Sequence, residues 1–166
     1  MNVDALALYT GYAFCQAVNL QHVMADNELM VPFVVHWSKE TPRPIPYPAQ
    51  TQEQAVGLAV KACEDRALGP DGWSSGREGL IDPGDGKKRD VLLIEAWVPD
   101  LHPPVVLIHY YQKSPFALHF AFMWQNHAQV RRSPEEAKTF LLHVRRGIMS
   151  HPFGSQCMEY LEKSKR

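Results

Sequence analysis

Apolar and polar positions alternate most regularly over residues 90–125. Three β-rich runs follow one another there, VLLIEAWV, VVLIHYYQK and FALHFAFMW, parted by short breaks that contain proline. Side chains of a strand point alternately to its two faces, so parity sorts the residues of each run. The even row of the first run is Leu92, Ile94, Ala96 and Val98, wholly apolar. The even rows of the next two hold Val106, Ile108 and Tyr110, then Leu118, Phe120, Phe122 and Trp124. The simplest arrangement puts these rows on one buried face, with Ile94, Ile108, Phe120 and Phe122 packed together. The other face then mixes Glu95, His109, Tyr111 and His119 with apolar neighbours. Pairing Val98 with Val106 across the break at 99–104 sets Glu95 opposite His109. A tight turn at Ser114-Pro115 would spoil the shared parity, so a longer loop or a bulge is expected there.

Elsewhere the period is helical. Leu6, Tyr9, Ala13, Ala17, Leu20 and Met24 recur at three- and four-residue steps, which predicts a helix over residues 3 to about 25 capped by Asn2. Thr51 with Gln54 forms a capping box for a helix over about 52–68, and Gly69-Pro70 ends it. Ser133-Pro134-Glu135-Glu136 opens a helix over about 134–150, and a last one covers about 155–163. Residues 31–37 read as a strand with Pro32 near its start, hence an edge. The segment 41–48 carries proline at every second position and is expected as a stiff, extended crossing rather than a docking motif. Residues 73–81 join 90–98 through the glycine-rich turn 82–88. The whole predicts one α+β domain over 1–166: a mostly antiparallel sheet, with a four-strand meander over about 73–125 plus the strand at about 31–37, covered by four helices.

Composition narrows the function classes. The chain has 166 residues and a net charge of −1, which draws the whole protein to neither nucleic acid nor an anionic membrane. Charge is uneven: residues 1–100 hold 8 Lys+Arg against 14 Asp+Glu, and residues 131–166 hold 8 against 4. Arg131, Arg132, Arg145, Arg146, Lys163, Lys165 and Arg166 therefore make a small basic region, read as a solvated helix face with no useful nucleic-acid affinity. No apolar run is long enough to span a bilayer, and Cys15, Cys63 and Cys157 are widely spaced, so a cytoplasmic location with reduced thiols is expected.

Chemical motifs are sparse. The turn at 82–88 is neither a P-loop nor an EF-hand loop, and no G-x-S-x-G or G-x-G-x-x-G occurs. Eight histidines show no local metal-ligand spacing, so no metal and no cofactor is expected. The sharpest catalytic idea is an acid-base or metal site assembled across strands from Glu95, His109, Tyr111 and His119. The plainer expectation, preferred on the sequence, is a non-enzymatic interaction or ligand-binding module. A homodimer is expected through an apolar strand edge at Pro32 and Trp37.

Overall fold

The computed structural model describes residues 2–65, 69–130 and 132–164. In chain order it contains α1 (Val3–Val23), β1 (Phe33–Trp37), β2 (Pro44–Pro46), α2 (Gln52–Glu64), β3 (Gly72–Ile81), β4 (Arg89–Trp97), β5 (Val105–Gln112), β6 (Ala117–Gln125), α3 (Pro134–Ser150) and α4 (Gly154–Ser164). The strands form one sheet in the order β2-β1-β3-β4-β5-β6, antiparallel throughout. This is the α+β fold that the two periodicities predict, with one strand more. Three helices start on the caps that the sequence marks: the side chains of Asn2, Thr51 and Ser133 accept from the backbone N–H of Ala5, Gln54 and Glu136. The expected last turn of α2, residues 66–68, lies outside the described residues.

The extra strand comes from the proline segment. Val34 pairs with Ile45, between two prolines that lack the donors for an interior position, so β2 sits at the sheet edge. β1 is thereby enclosed between β2 and β3. The apolar edge expected at Trp37 does not exist. Trp37 is 7% exposed, stacks on Tyr9 at 4.1 Å and donates its indole N–H to Ser74 Oγ at 3.0 Å.

The register of β4 and β5 corrects the shared even row. Ala96 pairs with Val105, Ile94 with Leu107 and Leu92 with His109, so even positions of β4 share a face with odd positions of β5. Glu95 stands opposite Val106, not His109. The cause lies in the connection. Leu101 N–H bonds to Val98 O, Trp97 Nε1 donates to Leu101 O at 2.7 Å, and Asp100 takes a positive φ of 69°. This tight turn buries Val98 and Leu101 completely and advances the pairing by an odd number of residues. Ile108 consequently joins Val91 and Tyr110 on the opposite face. Phe120 and Phe122 are 76% and 50% exposed, so neither is core. The irregularity expected near Ser114-Pro115 is present: a four-residue turn precedes β6, and its pairing shifts between His109 and Tyr111.

One sheet face, called here the first, carries Leu92, Ile94, Ala96, Leu107 and Tyr111 and is covered by α1. α1 is buried nearly all round because α3 and α4 close over its other side. The crossing of α1 and α3 is set by two glycines. A Cβ at Gly11 would stand 2.0 Å from Val144 O, and one at Gly147 would stand 2.1 Å from Leu8 O. Backbone therefore meets backbone, and only glycine fits. The second face is covered by α2, which lies over β1 and β3.

Candidate functional site

β3 and β4 pair Trp73 with Trp97 and Ser75 with Glu95, and Arg77 follows one step along. Alternation puts all five side chains on the second face, beneath α2. α2 does not close on them. A cavity of about 240 Å³ remains between helix and sheet, with Cys63 from α2 and His102 from the β4–β5 connection at its wall. Its lining is graded. Trp73 and Trp97 are each 7% exposed and form an aromatic wall, whereas Arg77 and Glu95 keep 37% and 33% of their side-chain surface in solvent. Arg77 Nη2 and Glu95 Oε1 stand 3.9 Å apart, a loose ion pair.

Two side chains at this cavity have unusual surroundings. Trp73 Nε1 is buried and has no hydrogen-bond partner among the described residues. A buried donor left unpaired costs on the order of 1–3 kcal/mol, a local cost of the packing under α2. Cys63 is held in its thiol form: burial, then the Glu95 carboxylate, push its pKa up to about 12. Cys63 is thus a neutral wall rather than a nucleophile at neutral pH.

The four residues singled out from the sequence do not converge. Glu95 lines the cavity on the second face. His109 lies on the first, 4% exposed, between the rings of Phe14 at 5.2 Å and Phe122 at 5.9 Å. Burial pulls its pKa down to about 4. Tyr111 also belongs to the first face, where its hydroxyl donates to Glu78 Oε2 at 3.0 Å, and burial with that carboxylate raises its pKa. His119 is exposed on β6, beside Phe120 in a groove between the β3–β4 turn and β5–β6. Among the described residues no group of three His, Cys, Asp or Glu side chains is placed to hold a metal ion.

A second polar cluster gathers at Glu78. Its Oε2 takes Gln21 Nε2 at 2.7 Å, Tyr111 Oη at 3.0 Å and Lys113 Nζ at 3.3 Å. These donors come from α1, β5 and the turn after it, so the carboxylate clamps three elements. Of the basic region, Arg145 and Arg146 are exposed on α3 and Arg132 N–H bonds to Glu136 Oε2 at 2.8 Å. Arg131, Lys165 and Arg166 lie outside the described residues. No helix among the described residues is long and apolar enough to cross a membrane.

The residues that sequence reasoning passed over are Trp73, Ser75 and Arg77. They alternate on one strand, with Trp73 opposite Trp97, Ser75 opposite Glu95 and Arg77 opposite Leu93. Comparison with protein-family models, with curated proteins and with solved structures finds no match, so the cavity is read from its own chemistry.

Proposed function

We propose that the protein is a non-enzymatic ligand-binding module whose ligand sits between α2 and the sheet. The observation that carries this reading is the cavity of about 240 Å³ left between α2 and the sheet, with an aromatic wall and charged groups at its mouth. Ligand pockets combine an apolar wall with a few convergent polar groups, and this one has both. At about 240 Å³ it falls below the usual range for drug-sized ligands, so its occupant is a small metabolite. The protonated Cys63 and the separation of Glu95 from both His109 and His119 favour binding over catalysis.

Saturation-transfer NMR against a panel of amino acids, carboxylic acids, amines, sugars and nucleosides tests this. At least one class should receive saturation from the wild-type protein. Val60→Trp, placed where Val60 is 51% exposed at the cavity rim, should abolish it. Transfer to no class, or equal transfer in the blocked variant, would sink the reading.

A specific observation also favours self-association at β6. This edge strand has nine residues, carries no Asp, Glu, Lys, Arg or Pro, and presents Phe120 at 76% exposure. Long uncharged edges invite a further strand. A second copy meets the requirement, since antiparallel pairing about Ala121 would set Phe120 against Phe122 without opposing charges. Sedimentation should give twice 18.9 kDa, and Phe120→Lys should give the monomer. A monomeric wild type at high concentration removes this reading.

A further inference from the structure

We infer that the cavity under α2 takes a small organic cation, a methylated ammonium group set against the Trp73–Trp97 pair and the Glu95 carboxylate. The inference rests on the ligand-binding reading and names the class of ligand. Three observations build it. The first is the order of side chains on the sheet. Trp73 pairs with Trp97, Ser75 with Glu95 and Arg77 with Leu93. Both tryptophans, Glu95 and Arg77 line the cavity. Successive residues of one strand face lie about 7 Å apart, so Glu95 stands next to Trp97 and diagonal to Trp73, with Arg77 one step farther on. A cation beside the indoles therefore meets the carboxylate first and has the guanidinium beyond it.

The second is the balance of charge. With histidine neutral, the lining carries two carboxylates, Glu64 and Glu95, against the single cation Arg77. The contact between Arg77 and Glu95 is loose at 3.9 Å, and Glu95 keeps 33% of its side-chain surface exposed. A carboxylate held so loosely has room for a second cation. The Cys63 thiol in the wall responds to the same field: burial is the larger reason that it stays protonated, and Glu95 and Glu64 add to it. Carboxylates that oppose a thiolate also oppose an anionic ligand, and they attract a cation. The third is the remaining wall, where α2 contributes the apolar Val56, Ala59 and Val60. A primary ammonium brings three N–H donors that an apolar wall leaves unpaired, whereas a fully methylated one brings none. Aromatic rings attract such cations, tryptophan most strongly, and more so where water is excluded.

Isothermal titration calorimetry on the full chain separates the possibilities with three molecules that share a hydroxyethyl tail. Choline carries a trimethylammonium head, ethanolamine a primary ammonium, and dimethylbutanol has carbon in place of the charged nitrogen of choline. Choline should bind at least about tenfold tighter than either. Glu95→Gln should erase its advantage over dimethylbutanol. Arg77→Gln removes the competing cation, so it should tighten choline by about twofold or more and leave dimethylbutanol unchanged. Glu95 and Arg77 are partly exposed, and circular dichroism of both variants verifies that the fold persists. Dimethylbutanol equal to choline, or choline weakened by Arg77→Gln, would overturn the cation while leaving the ligand-binding reading intact. Ethanolamine equal to choline would overturn the methylated head. Binding of none of the three, with another class of the NMR panel bound, would overturn this inference alone. With no class of the panel bound either, both readings fall.

Discussion

The two faces of the sheet are closed in different ways. On the first, Leu92, Ile94 and Ala96 have no exposure at all, and α1 lies on them with α3 and α4 behind it. Polar groups that enter that side tie elements together, as when Glu78 Oε2 collects three donors while its Oε1 has no partner among the described residues. On the second face, α2 rests on β1 and β3, Arg77 and Glu95 keep about one-third of their side-chain surface in water, and both ring nitrogens of His36 and the indole nitrogen of Trp73 lack partners among the described residues. The first face holds the fold together. The second leaves a cavity open between helix and strands, and an open cavity is where a ligand can enter.

That division can be broken most severely at the α1–α3 crossing. Gly11→Val should destabilise by at least about 3 kcal/mol, the upper end of overpacking costs, because the obstacle is the backbone of Val144. Urea melts should show no cooperative transition or a greatly lowered midpoint. A loss under about 1 kcal/mol would mean the helices can separate freely. Next in size is Leu92→Ala, which opens a void beneath α1 and should cost about 2–5 kcal/mol. Phe120→Ala, at 76% exposure, should cost under about 0.5 kcal/mol in the same melts. Similar losses at both positions would erase the distinction between core and surface on these strands.

Histidine 109 sharpens the comparison through pH. Its folded-state pKa, about 4, lies below the ordinary 6.5, so between those values the unfolded chain binds a proton that the folded chain refuses. Stability is therefore fully present above pH 6.5 and declines as pH falls towards 4, by about 3 kcal/mol in all. His109→Leu should flatten that slope in melts taken from pH 7 to pH 4. An unchanged slope would show that another group sets it. A small gain is expected on the second face. Gly57 is exposed on α2 and a Cβ there meets nothing within 4 Å, so Gly57→Ala should stabilise by up to about 1 kcal/mol. Thermal melting should rise slightly, and a fall would mean α2 is strained where it rests on the sheet.

Much of this arrangement is legible in the sequence, and the rest fails for definable reasons. Asn2, Thr51 and Ser133 act locally, within a turn of the backbone they cap, so helix starts could be read directly. Strand parity is not local. It depends on how the turn at Val98 and Leu101 closes, and on Asp100 adopting a positive φ, which nothing in a hydrophobic pattern announces. One misjudged turn moved Ile108 to the wrong face and His109 with it. The proline segment is extended, as its alternation predicts, and pairing with β1 needs only the donors and acceptors around Ile45, which the prolines leave free. Of the candidate site, Glu95 was named for the wrong company. Its neighbours are Ser75 and Arg77, on a strand whose glycines and serines made it look weak.

The crossing of α1 with α3 also has a consequence for how the protein is made. Gly11 and Val144 meet across about 130 positions of chain. At ordinary rates of synthesis the first glycine leaves the ribosome on the order of ten seconds before its partner exists. During that interval β3 and β4 can cover the sheet side of α1, but the side that awaits α3 has no partner yet. That side of α1 is covered only once Phe140, Val144 and Ile148 have been made and α3 packs on it.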